Sequence, residues 1–256
     1  MIVYSYILLI VGVVVWVLLM PGRKMLDSSW MEAISVFGGA FLLGSCFINL
    51  MPHMYLEGYT LTVGGGTLTL KVGMAVLVGF LIQLLLERLT QGIEHGHNHT
   101  ECHHCEHHEA DHVHPVAGLL IGLSIHAFLE GMPLVDAEGD VHQGLLYGIV
   151  LHNIPLSLVM MGLFMSNGYS FLKSFLLLTL FAVMTPLGSL CNLYLLPGSE
   201  TLQCLIMGMV VGILLHVSVS ILFDQDHYKF SWLKLILILA AFVAAYFTPG
   251  CPEIYG

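Results

Sequence analysis

The chain has 256 residues, of which 57% are hydrophobic and 9% charged, and its mean hydropathy is +0.88. Soluble domains carry about 25% charged residues, and no single core of this length could hide so much apolar surface, whereas a lipid bilayer accepts it. The formal charge of −10 is gathered in the polar segments, no basic stripe suggests nucleic acid, and the six cysteines do not make a disulfide framework.

In chain order, eight apolar runs are expected to span the membrane, at about 2–20, 30–51, 68–89, 115–137, 142–165, 171–196, 201–223 and 231–248, because roughly 20 residues cross a bilayer. No basic segment precedes the first run, and Arg23-Lys24 follows it, which fits a retained span better than a cleaved leader. Pro21-Gly22 closes that run, Gly64-Gly65-Gly66 precedes the third, and Pro197-Gly198 separates the sixth from the seventh. Cys46, Cys191 and Cys204 lie within the runs, where a thiol behaves as a small hydrophobe. The one long polar stretch, 90–114, joins the third run to the fourth.

The expected fold is therefore an all-α polytopic membrane protein, a single domain over residues 1–256 with eight transmembrane helices. With the N-terminus outside, Arg23, Lys24, Arg88, Lys173, Lys229 and Lys234 fall on the cytoplasmic side and Lys71 alone falls outside. The positive-inside tendency then predicts both termini outside, a cytoplasmic 90–114 loop and a multi-pass membrane location, the cell membrane if the source is prokaryotic.

Charges inside the bilayer are costly and usually functional. Most acids, including Glu32, Glu87, Asp136 and Asp224, fall in loops or near helix ends, but Glu130 lies well inside the fourth run. It follows His126 by four residues, so the two side chains share a helix face. In the fifth run His152 is followed by Asn153 and Pro155. The turn between these runs centres near Gly139, with His126 thirteen residues before it and His152 thirteen after. Two antiparallel helices put such positions at equal depth, about 20 Å below the turn and near the bilayer midplane. Two imidazoles and a carboxylate at one level suit zinc, iron, manganese or their neighbours better than calcium or sodium. The competing reading is a hydrogen-bond cluster that ties helices together without metal. Pro155 removes the donor for the Leu151 carbonyl, and Pro133 acts likewise just after Glu130, so helix breaks beside the site are expected.

Between His95 and His114 stand nine histidines with Cys102 and Cys105. That composition indicates a metal-binding loop, with His95, His97, His99, Cys102, His103, His104, Cys105, His107 and His108 as candidate ligands. Cys102-x-x-Cys105 has the spacing of half a tetrahedral zinc site. Asn49, Pro52 and His53, toward the outer end of the second run, could line an access path. His216, in the inner half of the seventh run with Ser218 and Ser220, is a further pathway candidate, although a lone histidine there more often makes an interhelical hydrogen bond.

These features together resemble the Zrt/Irt-like (ZIP) metal transporters: eight spans with both ends outside, a histidine-rich loop between spans three and four, and paired motifs in spans four and five. The span-four motif reads His126-Ala127-Phe128-Leu129-Glu130-Gly131, and the span-five motif reads His152-Asn153-Ile154-Pro155-Leu156. The resemblance implies uptake of Zn²⁺, or of Fe²⁺, Mn²⁺ or Cd²⁺, toward the cytoplasm by an elevator-like sliding of a ligand-bearing helix bundle. The ion is the transported substrate rather than a resident cofactor.

Some family members hold two metals. Here Ala127 follows the span-four histidine where relatives have a polar residue, Asn153 stands where they often have an acid, and Leu156 replaces the next ligand. Thr185, before Pro186, occupies a position where some relatives carry Glu, and the second-span pattern His-x-x-Pro-Glu has become Asn49-Leu-Met-Pro52-His53. The resemblance therefore implies that the first site survives in His126, Glu130 and His152, completed by water or Asn153, while the second is dismantled. The expected partners are divalent metal ions and the lipid bilayer, with no nucleic acid and with a homodimer left open. Two alternatives stand beside transport. One is a transport-inactive metal sensor. The other is an intramembrane zinc hydrolase with Glu130 as general base, for which two histidines leave the metal short of ligands.

Overall fold

The computed structural model describes residues 2–19, 28–61, 67–89, 114–136, 139–195, 200–223 and 232–248. These form helices α1 (Ile2–Leu19), α2 (Ser28–Ser45), α3 (Met51–Thr60), α4 (Thr67–Leu89), α5 (His114–Gly131), α6 (Gln143–Ser166), α7 (Phe171–Leu195), α8 (Glu200–Phe223) and α9 (Trp232–Phe247). Six helical stretches are long and apolar enough to cross a membrane: Met31–Thr60, Leu68–Arg88, Val116–Leu134, Gln143–Ser166, Phe171–Tyr194 and Glu200–Phe223. Ile2–Val14 and Trp232–Phe247 are apolar but shorter. Many large apolar side chains, such as Leu70, Leu77, Leu81, Ile121, Leu172 and Ile236, face outward, as expected where the solvent is hydrocarbon.

The second run is longer than expected. α2 and α3 form one continuous helix through a π-helical stretch, Cys46–Leu50. The extra residue per turn swings Asn49 inward: it is buried, its Nδ2 donates to the Ala245 carbonyl of α9 at 3.3 Å, and it packs against Gly144 at the start of α6. The helix discontinuities expected at the two prolines come out differently. Pro155 sits inside an unbroken α6. At the other position α5 stops at Gly131, and Met132–Leu134, carrying Pro133, forms a 3₁₀ turn, so the helix ends there instead of running on to about 137. The proline ring is accommodated inside α6 at Pro155, whereas at Pro133 the chain leaves the α-helix for a buried 3₁₀ turn.

The α5–α6 connection turns where expected. Gly139 has φ +87°, a backbone state that L side chains avoid, and the turn is closed by Val135 bridging Val141 and by the Asp136 carboxylate accepting from the Asp140 amide at 2.8 Å. Two helix pairs approach so closely that backbone meets backbone. Along α4 and α8, a Cβ on Gly79 would lie 1.8 Å from the Met209 carbonyl oxygen and one on Gly212 would lie 1.9 Å from that of Val76. Between α5 and α7 the corresponding pairs are Gly131 with Thr185 and Gly188 with Phe128. Small residues permit such contacts, which hold helices together where no hydrophobic force separates them from lipid.

Candidate metal centre

His126 and Glu130 project from α5, one turn apart, and His152 from α6. All three are buried: Glu130 is 0% exposed, His126 1% and His152 8%. His126 Nε2 stands 3.7 Å from Glu130 Oε2, and the His126 and His152 rings meet edge to face with centres 6.2 Å apart. Equal spacing from the Gly139 turn thus does bring the two imidazoles to one level.

The tautomer of His126 follows from its other nitrogen. Nδ1 lies 2.9 Å from Gln83 Oε1 of α4. A carbonyl oxygen only accepts, so Nδ1 carries the proton and Nε2 keeps its lone pair on the side of Glu130. His126 Nε2 has no hydrogen-bond partner among the described residues, nor does the buried Asn153 Oδ1 one residue after His152. Buried acceptors left this way are costly unless something electropositive visits them.

The donors suit a late first-row divalent ion. At ligand distances of about 2.1 Å, two donors on one tetrahedral ion stand about 3.4 Å apart, so His126 Nε2 and Glu130 Oε2, at 3.7 Å, are within about 0.3 Å of sharing one. Two imidazoles on a tetrahedral ion put their ring centres about 5.2 Å apart, given a ring centre about 3.2 Å from the metal. The 6.2 Å between His126 and His152 is about 1 Å wider. Among the described residues no three His, Cys, Asp or Glu side chains stand close enough to hold an ion without movement.

The other candidates scatter. His216 of α8 is within 2.5 Å of Glu87 Oε2 and packs its ring on Phe80, so it makes the interhelical contact that a lone membrane histidine usually makes. Glu87 lies in the last turn of α4, one turn beyond Gln83 and near a helix end as expected. Asn49 belongs to the α2–α9–α6 junction described above, and His53 of α3 faces His142, ring centres 5.2 Å apart. Burial and the neighbouring His53 hold the His142 imidazole down to about 4, against a smaller opposing pull from Asp140. The loop candidates His95, His97, His99, Cys102, His103, His104, Cys105, His107 and His108 lie outside the described residues.

Ala127 and Leu156, where the resemblance would put further ligands, are both packed into one apolar cluster with Leu119, Leu123 and Met160. Thr185 is buried with its carbonyl against Gly131, next to Glu130. Sequence reasoning missed Gln83, Glu87 and His142. Gln83 had a signal, being the one polar side chain between Lys71 and Glu87 apart from glycine, whereas nothing in the sequence pairs His142 with His53.

No curated protein matches the chain. The sequence model of the family described as ZIP Zinc transporter matches residues 96–247, more than half of the chain and a range that holds His126, Glu130, His152 and four of the six long apolar helices, all but Met31–Thr60 and Leu68–Arg88. The chain is therefore a multi-pass membrane protein of the ZIP family of divalent-metal transporters.

Proposed function

We propose that the protein carries Zn²⁺, with Fe²⁺, Mn²⁺ or Cd²⁺ as related substrates, toward the cytoplasm through a single-ion site formed by His126, Glu130 and His152 and completed by Asn153 or water. The observation that carries this reading is the convergence of two imidazoles and one carboxylate, all buried, from two helices at one level. Closing the last 1 Å or so between the two rings would turn the cluster into a coordination site, which is a modest shift for helices that must move to pass an ion.

The single-ion reading is supported by the hydrocarbon around Ala127 and Leu156, which leaves no polar group at those positions to bridge a second metal. One carboxylate and two neutral imidazoles leave a divalent ion with net charge +1, so the site should release its cargo more readily than one with several acids. On the cytoplasmic side we infer a path from His126 through Gln83 to the Glu87–His216 pair, ending where α4 gives way to the 90–114 loop. That loop would buffer or sense the arriving metal.

Eight spans with both termini outside remain our reading of the topology. It is supported by direction: Glu32 pairs with Lys234 at the starts of α2 and α9 while Asn49 meets Ala245 further along, and Val72, Val76 and Glu87 of α4 meet Gly208, Gly212 and His216 of α8 in the same order. Both pairs therefore run parallel, as alternating crossings of spans two and eight, and three and seven, require.

Vesicles reconstituted with the protein and loaded with a metal-sensitive dye test the proposal. Wild-type influx abolished by Glu130→Ala and by His126→Ala is the expected result. Wild-type vesicles that bind metal but never pass it would overturn transport and favour a sensor.

A further inference from the structure

We propose that His53, Glu57 and His142 form a second divalent-metal site at the end of the bundle that carries the α5–α6 turn, distinct from the mid-membrane cluster. His142 is the residue before α6, ten positions from His152, so the two centres lie about 15 Å apart along that helix. The proposal does not depend on which residues carry the transported ion.

As they stand the three side chains are not close enough to hold an ion, and side-chain movement would have to bring them into one shell. The His53 and His142 ring centres are 5.2 Å apart and the planes are inclined at 70°. This matches the separation of about 5.2 Å for two imidazoles sharing a tetrahedral ion, which His126 and His152 exceed. Glu57 follows His53 by one helical turn on α3, and its Oε2 lies 3.9 Å from His53 Nδ1. Two donors on one tetrahedral ion stand about 3.4 Å apart, so side-chain rotation of about half an ångström brings the carboxylate into the same shell.

Chemistry and access agree with this. Two neutral imidazoles and a carboxylate select zinc and its late first-row neighbours over calcium or magnesium. Glu57 as a ligand, with Asp140 electrostatically close to His142, matches the +2 charge of the ion in full. His53 and Glu57 are part-exposed, with 18% and 29% of their side chains accessible, so neither is sealed within the bundle. His142 is buried and anchored by its amide to the Leu134 carbonyl at 3.0 Å, which gives the site one rigid ligand. Because its ligands come from α3 and from the α5–α6 turn, an ion held there ties those two segments together.

The test is amide hydrogen exchange of the full chain in lipid nanodiscs, read by mass spectrometry with and without Zn²⁺, which reports location and so separates this site from the histidine-rich loop. At Zn²⁺ about 100 times its dissociation constant, locally opening amides in 135–147 should slow by up to about 100-fold. His53→Gln with His142→Gln should abolish that slowing, while Glu130→Gln should leave it intact. His142→Cys, which keeps a ligand, should restore it with Cd²⁺ and decides the matter if the double variant is poorly folded. Slowing that persists in a folded double variant, absence of slowing in wild type while 95–114 is protected, or no response of His142→Cys to Cd²⁺ would each overturn the proposal.

Discussion

Substituting Gly131 by alanine tests whether the close approach of α5 and α7 is what holds Glu130 in place. The added methyl would sit 2.0 Å from the Thr185 carbonyl oxygen, with the Thr185 carbonyl carbon and Cα at 2.7 and 2.9 Å. Contacts of this kind essentially never fall below 3.0 Å, so the helices must part locally by about 1 Å, and backbone atoms cannot rotate aside. Overpacking of this sort costs about 1–3 kcal/mol. Functionally the shift matters more, because it occurs one residue from Glu130 and metal–ligand distances tolerate only about 0.2 Å. Zn²⁺ uptake at sub-saturating metal should fall about 10- to 100-fold in dye-loaded vesicles. Gly188→Ala, whose methyl would sit 1.9 Å from the Phe128 carbonyl oxygen, should reproduce the loss from the opposite helix. Gly118→Ala on the same α5 meets nothing within 4 Å and should leave uptake unchanged, with up to about 1 kcal/mol gained from helix propensity. Wild-type uptake in folded Gly131→Ala protein would refute the idea that this contact positions the carboxylate.

Three further outcomes follow from the same geometry. Gln83→Leu removes the acceptor that fixes the His126 tautomer, so the KM for Zn²⁺ should rise about 10- to 100-fold with the maximal rate changed less; an unaltered KM would show that His126 orients itself. In metal-free protein, His142 takes up its proton near 6.5 when unfolded but only near 4 when folded, so stability should decline as pH falls between those values, by on the order of 3 kcal/mol, and stay flat above them. Thermal melts of wild type and His142→Gln in a chelator check this, the variant losing that part of the slope. Deletion of 95–114 should preserve influx while changing its response to cytoplasmic metal, and complete loss of influx would show that the loop belongs to the conduction path.

Much of this protein is legible in the sequence because a bilayer admits few solutions. Backbone groups in hydrocarbon must be satisfied within a helix, so apolar runs become helices. His126 and Glu130 share a face by the helical repeat alone, and Gly139 marks the turn because its backbone state suits glycine. Depth along two antiparallel neighbours is also a matter of counting, which is why His152 could be matched to His126 from residue numbers. Which polar groups meet across helices separated in sequence is not a matter of counting. The separation of 43 positions between Gln83 and His126 says nothing about their contact, and the pairing of His53 with His142 and of Glu87 with His216 depends on rotation and offset of whole helices. The same holds for the π-helical stretch that carries Asn49, which arises between α2 and α3 although the prolines drew attention to α5 and α6. Local periodicity decided what each segment is, whereas close packing of α4 on α8 and α5 on α7, set by glycines whose missing side chains matter only when a neighbour arrives, decided what each segment touches.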